Sequence, residues 1–220
     1  MSVSEKPKVA LVLGDPNGIG PELAAKLVAE QETSEKAHVV ILADKKVLDE
    51  GMRIAGVDLN YNATERVSAE MMTGATPVLL TGPVFEGDDS QRGQVSEVSG
   101  KYQLACLTKG LELCIEGVVD SMVFAPLNKE AMHLAGLEHE DESGLFLDVL
   151  DHKGDFGLLN TLGNLWTSRA TSHVSHRQVS ELLSEESIMT AARVLDKVME
   201  GKEDLEVDQI EGAVHPTRKV

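Results

Sequence analysis

The sequence predicts an α/β protein with a mainly parallel sheet flanked by helices. Three observations predict it. Short continuous apolar runs recur along the chain, the pattern of strands buried on both faces. Segments with apolar residues near a 3.6 period lie between them. Glycine or proline follows several runs directly, at Gly14-Asp15-Pro16, Gly82-Pro83 and Pro126.

Val9–Leu13 is the first expected strand. Pro21–Glu30 follows as a helix with Leu23, Ala24, Leu27 and Val28 on one face. Val39–Ala43 is the second strand, and Lys45–Gly51 reads as a short helix. Val78–Thr81 is the third strand. Glu86–Gly93, with Gly87, Asp88, Asp89 and Ser90 in a row, reads as a solvated loop. Gly100–Glu116 is a strong helix, and Met122–Ala125 is the fourth buried strand. Leu158–Asn160 and Leu165–Thr171 look like further strands. Ser184 caps a final helix from Glu185 to Met199. The sequence predicts a dehydrogenase-like region over residues 1–200 and an acidic tail or linker over 201–220.

Composition bounds the function. The 220 residues are 42% hydrophobic and 26% charged, as in globular chains. Aromatics are 3%, so the core is aliphatic. A net charge of −17 argues against general binding to nucleic acid or anionic membranes, although a local pocket can still be positive. No apolar run reaches the ~18 residues of a membrane span, and no signal-peptide core precedes Val9. The expected location is cytoplasmic. Cys106 and Cys114 lie eight apart in one helical pattern and read as buried hydrophobes.

Gly14-Asp15-Pro16-Asn17-Gly18-Ile19-Gly20-Pro21-Glu22 joins the first strand to the first helix. Its glycines permit close backbone approach, and such a turn can hold an anion at a helix N-terminus. The spacing fits neither common phosphate fingerprint, which favours a plain tight turn. Ala125-Pro126-Leu127-Asn128-Lys129 follows the fourth strand, where ligands bind in parallel sheets. Lys129 could there meet a carboxylate or phosphate or act as an acid or base; the default is a surface lysine at a helix start. His139-Glu140-Asp141-Glu142-Ser143 offers oxygen ligands to a cation, but consecutive acids more often mark a hydrated helix start. His133 and His152 lack local partners and read as surface residues. His173 ends an apparent strand and could bind a metal, with His176 three residues on as weak support.

Three motifs occur in order: Gly14–Glu22, Ala125–Lys129 and Trp166-Thr167-Ser168-Arg169-Ala170-Thr171-Ser172-His173. Together they resemble the 4-hydroxythreonine-4-phosphate dehydrogenase family of vitamin B6 (pyridoxine) synthesis, over roughly Lys8 to Met199. The resemblance implies an isocitrate/isopropylmalate dehydrogenase-like architecture and a homodimer. It implies oxidation, with decarboxylation, of 4-phosphooxy-L-threonine, using NAD or NADP and a divalent metal (Zn, Mg, Mn or Co). By resemblance His173 matches the first of three metal-binding histidines. Glu142 and Ser143 fall where typical members carry a His-Thr pair that contacts substrate, and Lys129 matches a catalytic lysine at the rim of the site. No residue is singled out for the cofactor, since no Rossmann fingerprint is present.

The family's Asn-Pro-His-Ala-Gly-Glu and Tyr-His-Asp-Gln-Gly stretches, which carry the other two histidines, are missing from these 220 residues, and His215 matches neither. The chain thus resembles a shortened member, incomplete at its C-terminal end. Two alternatives accompany this reading. One is a catalytically inactive remnant or phospho-acid-binding module. The other is a D-erythronate or D-threonate 4-phosphate dehydrogenase, a subgroup that the Glu140-Asp141-Glu142 variant resembles.

Overall fold

A computed structural model describes residues 6–88, 92–172 and 174–200. The chain divides into two compact units, residues 1–152 and 153–220.

The first unit is built on a five-stranded, wholly parallel sheet of order β3-β4-β2-β1-β5. The strands are β1 (Lys8–Val12), β2 (His38–Leu42), β3 (Asn62–Thr64), β4 (Val78–Leu80) and β5 (Ser121–Phe124). The four predicted strands are therefore present and parallel. β3 was not foreseen; it is a three-residue edge strand of polar character, with no apolar run to betray it. The central strands are buried on both faces, and Val12, Val40, Ile41, Leu42 and Leu79 are fully inaccessible. At the edge, β5 keeps Val123 48% exposed.

Helices α1 (Gly20–Ala29), α2 (Gln31–Lys36), α3 (Lys45–Ala55), α4 (Glu97–Ile115), α5 (Lys129–Leu134) and α6 (Glu142–Val149) complete the unit. Local chemistry sets their starts. Pro21 occupies the first turn of α1, where its missing N–H is not needed. Asp44 caps α3 and Ser96 caps α4, each accepting a backbone N–H. The Ser96 cap starts α4 three residues before the predicted Gly100. Gly56, at φ +68°, closes α3 five residues beyond the predicted end. Gly51 is interior to that helix instead of its stop: a Cβ there would collide with the Pro21 carbonyl, so it lets α1 and α3 approach closely.

The topology locates a ligand. From β1 the chain crosses first to β2 on one side; after β4, α4 returns it to β5 on the other side of β1. Parallel sheets bind ligands beyond the strand ends where the winding reverses. Here that is the gap between the loops that follow β1 and β5.

The second unit contains an antiparallel hairpin of β6 (Leu159–Leu162) and β7 (Leu165–Ser168), then α7 (His176–Leu182) and α8 (Glu185–Met199). The two predicted strands are both present but shifted, with the second ending at Ser168 and not Thr171. Ser184 caps α8 as expected. The predicted tail at 201–220 lies outside the described residues.

Candidate functional site at the C-terminal edge of the first sheet

The loops after β1 and β5 are joined by a buried polar network centred on Asp15. The Asp15 backbone N–H donates to the Pro126 carbonyl at 3.0 Å. Its Oδ1 accepts from the Asn17 N–H at 2.9 Å and from Ser99 Oγ at 2.6 Å. Its Oδ2 accepts from Asn128 Nδ2 at 3.3 Å. Gln103 Oε1 in turn accepts the Asn128 N–H at 2.8 Å, and Gln103 Nε2 donates to Ser99 Oγ at 3.0 Å. Asn17 Nδ2 reaches the Gln94 carbonyl at 3.2 Å and Ser96 Oγ at 3.3 Å. Asp15, Asn17, Ser99 and Gln103 are all buried. A buried carboxylate is tolerated only when donors surround it, and three do.

This arrangement decides the role of the glycine-rich turn. Gly14 has φ +75°, and a Cβ on it would collide with the carbonyls of Ala125 and Pro126. A Cβ on Gly20 would collide with the Leu13 carbonyl. The space both glycines free is occupied by the protein's own backbone, which lets the turn pack tightly against the loop after β5.

Beyond the network stand the residues singled out from sequence. Lys129 is the first residue of α5, positioned by Asn128, whose Oδ1 caps the helix by accepting the Ala131 N–H at 3.0 Å. Glu142 is the first residue of α6, after Asp141, which caps that helix by accepting the Ser143 N–H at 2.9 Å. The two helix starts face each other, with Lys129 Nζ 4.0 Å from Glu142 Oε2. That oxygen is buried and has no hydrogen-bond partner among the described residues. Ser143 adjoins Glu142 and is half-buried.

His139 stands apart, its Nε2 2.6 Å from Asp148 Oδ2, and its ring lies where a Cβ on Gly144 would fall. His133 is exposed, yet its Nδ1 lies 3.0 Å from the Leu137 carbonyl, a partner four residues on that the sequence reading missed. His173 lies outside the described residues. In the second unit, the Ser168 Oγ of the third motif is buried without a partner among the described residues. Arg169 donates to Asn160 Oδ1 at 3.2 Å.

Beside the turn opens a cleft of about 410 Å³ lined by Asn17, Lys46, Arg53, Phe85 and Arg92, among others. Its cations are committed. Lys46 sits 5.2 Å over the Phe85 ring and donates to the Gly87 carbonyl at 3.1 Å. Arg53 grips Glu50 through two 2.7 Å bonds, and Arg92 lies 3.3 Å from Glu22. Behind the cleft, Tyr102 Oη accepts the Asp44 N–H at 2.8 Å. Burial pushes the Tyr102 phenol up and raises the Cys106 thiol to about 12.

Sequence reasoning missed Ser99 and Gln103. The available signal was their spacing of four on α4, a polar pair interrupting an otherwise apolar helix face, behind a Ser96 cap.

Among the described residues, no group of three histidine, cysteine or acidic side chains could hold a metal ion. No helix there is long and apolar enough to cross a membrane.

Comparison with known proteins agrees with the motifs. The model of the family "Pyridoxal phosphate biosynthetic protein PdxA" matches residues 35–213. The chain is 42% identical over 199 residues to the "Putative 4-hydroxythreonine-4-phosphate dehydrogenase 2" of Pseudomonas aeruginosa, covering 90% of this chain and 59% of that protein. It is 28% identical over 204 residues to a "Putative D-threonate 4-phosphate dehydrogenase" of Clostridium botulinum, covering 93% of this chain and 59% of that one. The crystal structure of the 4-hydroxythreonine-4-phosphate dehydrogenase of Klebsiella pneumoniae superimposes with a TM-score of 0.76 at 26% identity, covering 90% of this chain and 60% of that one. The 220 residues thus span about three fifths of the length of the proteins they match. With its family model matched over most of its length and its fold shared with a solved member, the chain belongs to the PdxA family.

Proposed function

We propose that this chain forms part of a dehydrogenase that oxidises a phosphorylated four-carbon hydroxy acid. 4-Phosphooxy-L-threonine, in pyridoxal phosphate biosynthesis, is the first candidate. D-Erythronate or D-threonate 4-phosphate is the second, and the name of the Clostridium relative, a putative D-threonate 4-phosphate dehydrogenase, gives it weight. The observation that carries the reading is the convergence of two family motifs at the reversal of the sheet. The Asp15 network fixes the turn after β1 to the turn that presents Lys129.

In this reading Lys129 holds an anionic group of the substrate or exchanges a proton with it, while Glu142 and Ser143 contact its polar substituents. NAD or NADP accepts the hydride when bound. The described residues do not fit a metal: they supply no three-ligand group, and His173 is the metal ligand that the motif resemblance assigns. By the same resemblance the protein works as a homodimer; by its sequence pattern it belongs to the cytoplasm, with residues 1–200 as its dehydrogenase-like region and 201–220 as an acidic tail or linker.

The test is NAD(P)H formation from 4-phosphooxy-L-threonine and from D-erythronate 4-phosphate, with added zinc, magnesium, manganese or cobalt. One histidine gives too few ligands for a catalytic metal. The 220 residues alone should therefore show little or no turnover, and a chain extended by the family's two further histidine stretches should turn over. Turnover by the 220 residues, abolished by chelator and by His173→Ala, would refute the expected inactivity while supporting His173 as a ligand. An extended chain that binds neither acid would refute the dehydrogenase reading.

A further inference from the structure

We propose that Gln103 is a positioning residue for the Lys129 ammonium: from the middle of α4 it fixes the backbone on which Lys129 is mounted. The inference rests on the reading of Lys129 as a group that meets an anionic substrate.

Gln103 is an amide in an apolar setting. It is 0% exposed, on a helix whose other buried positions include Cys106, Leu107 and Leu111. A leucine would fill the place without the cost of burying an amide. The amide is tolerated because its bonds are made. Nε2 donates to Ser99 Oγ at 3.0 Å and to the Ser99 carbonyl at 3.2 Å, and Oε1 accepts the Asn128 N–H at 2.8 Å.

That last bond completes the hold on Asn128. The Asn128 Oδ1 accepts the Ala131 N–H, its carbonyl accepts the Met132 N–H, and its Nδ2 donates to Asp15 Oδ2. Two of these bonds lie within α5 and its cap. The two anchors from outside are Gln103 at 2.8 Å and Asp15 at 3.3 Å, and the shorter is the stronger.

The body of α5 does not need the Gln103 bond. Ala131 and Met132 are fully buried, and a Cβ on Gly100 would collide with the Ala131 carbonyl, so α4 and α5 already pack closely. The start of α5 does need it. The helix has six residues, too few to hold its first turn by its own bonds. Lys129 is that first residue, and its side chain does little to place itself: it is 45% exposed, and Nζ stands 4.0 Å from Glu142 Oε2, beyond hydrogen-bond range. Loss of the Gln103 amide therefore frees the turn that carries Lys129 and leaves the packed end of α5 in place.

Calorimetric titration with 4-phosphooxy-L-threonine and with D-erythronate 4-phosphate tests this, on the 220 residues and on the extended chain described above. Gln103→Leu should weaken the acids ~10-fold, the worth of one hydrogen bond. In a Lys129→Met background the same substitution should change affinity less than ~2-fold, because its effect passes through the ammonium. Leu113→Ala, a cavity in the core near the other end of α4, should lower the melting temperature and leave affinity unchanged. Gln103→Glu, whose buried carboxyl when protonated accepts from Asn128 and donates to Ser99, should bind within ~3-fold of the wild type at pH 5. Without any ligand, the Ala131 amide should exchange with solvent ~10-fold faster in Gln103→Leu than in the wild type. A merely structural role predicts losses of affinity that follow melting temperature in every variant. An unchanged Ala131 exchange rate or unchanged affinity in folded Gln103→Leu, or an undiminished loss in the Lys129→Met background, would overturn the positioning role and leave the dehydrogenase reading intact. Failure of both acids to bind either chain would overturn both.

Discussion

Asp15 and Glu142 are two carboxylates of the first unit, the first buried and the second partly buried, and they are solvated in opposite ways. Asp15 receives three hydrogen bonds from Asn17, Ser99 and Asn128. The inner oxygen of Glu142 receives none among the described residues, and the Lys129 ammonium lies 4.0 Å away. The difference separates scaffold from site. A group whose needs are met by the fold holds loops in place. A group left short among the described residues does not serve that purpose.

The backbone beneath Asp15 should give the largest effect. Gly14→Ala forces a Cβ into two carbonyls at positive φ, and should cost about 3–5 kcal/mol in chemical denaturation. Gly136→Ala is the control: it shares a positive φ of +99° but meets nothing within 4 Å, and should cost only about 1 kcal/mol. Equal losses would mean that dihedral strain alone, and not the packing of the two loops, sets the cost.

Isosteric neutralisation compares the carboxylates directly. Asp15→Asn turns an acceptor into a donor facing the Asn128 amide, and should cost about 1–3 kcal/mol by urea midpoint. Glu142→Gln should change stability by less than about 1 kcal/mol, or raise it, since a poorly solvated charge is removed. A larger loss at Glu142 than at Asp15 would reverse the assignment of scaffold and site.

Alkali probes the core behind the network. The Cys106 thiol is raised from an ordinary value of 9.0 to about 12 by burial. The folded state therefore holds that proton more tightly than the unfolded state does. Its contribution to stability is complete below pH 9, declines as pH rises, and is gone above about 12, with a slope of at most about 1.4 kcal/mol per pH unit. Tyr102, also pushed up by burial, adds a decline of the same sign. Cys106→Ala should flatten the part due to the thiol, measured as urea midpoint against pH.

The smallest effect is kinetic. Half-buried Cys114 should react with a thiol reagent in the native state, whereas Cys106 should wait for unfolding. Simultaneous labelling would show that α4 opens more readily than its burial implies.

The sequence disclosed what depends on local pattern. Val9–Leu13 and Val39–Ala43 announce buried parallel strands because nothing polar interrupts them, and Ser184 announces α8 because capping is a local matter. β3 was hidden, since Asn62–Thr64 joins the sheet through β4 and not through its own composition. The site was half legible. Asp15, Asn128 and Lys129 lay inside recognisable motifs. Nothing in their spacing showed that Ser99, far along the chain, would donate to Asp15, or that Gln103 would tie Ser99 to Asn128. That Glu142 Oε2 finds no donor among the described residues was equally hidden, because a missing donor is a property of three dimensions.

The strand order also carries a consequence for how the protein is made. Of the five strands β1 is synthesised first, yet it lies inside the sheet, between β2 and β5. Its outer neighbour is more than a hundred residues away. Lys8 donates to Asp120 Oδ2 at 2.7 Å, and Asp120 returns a backbone bond to Lys8 at 2.8 Å. Until residue 124 has been synthesised, one side of β1 has no strand to pair with. A nascent chain elongating at about 5–20 residues per second spends several seconds in that state. It then exposes the unpaired backbone groups of Lys8, Ala10 and Val12 that face β5, beside apolar side chains. Chaperone demand and loss to aggregation should therefore peak while the stretch up to β5 is being translated, and slow codons before β5 should lower the yield of soluble protein.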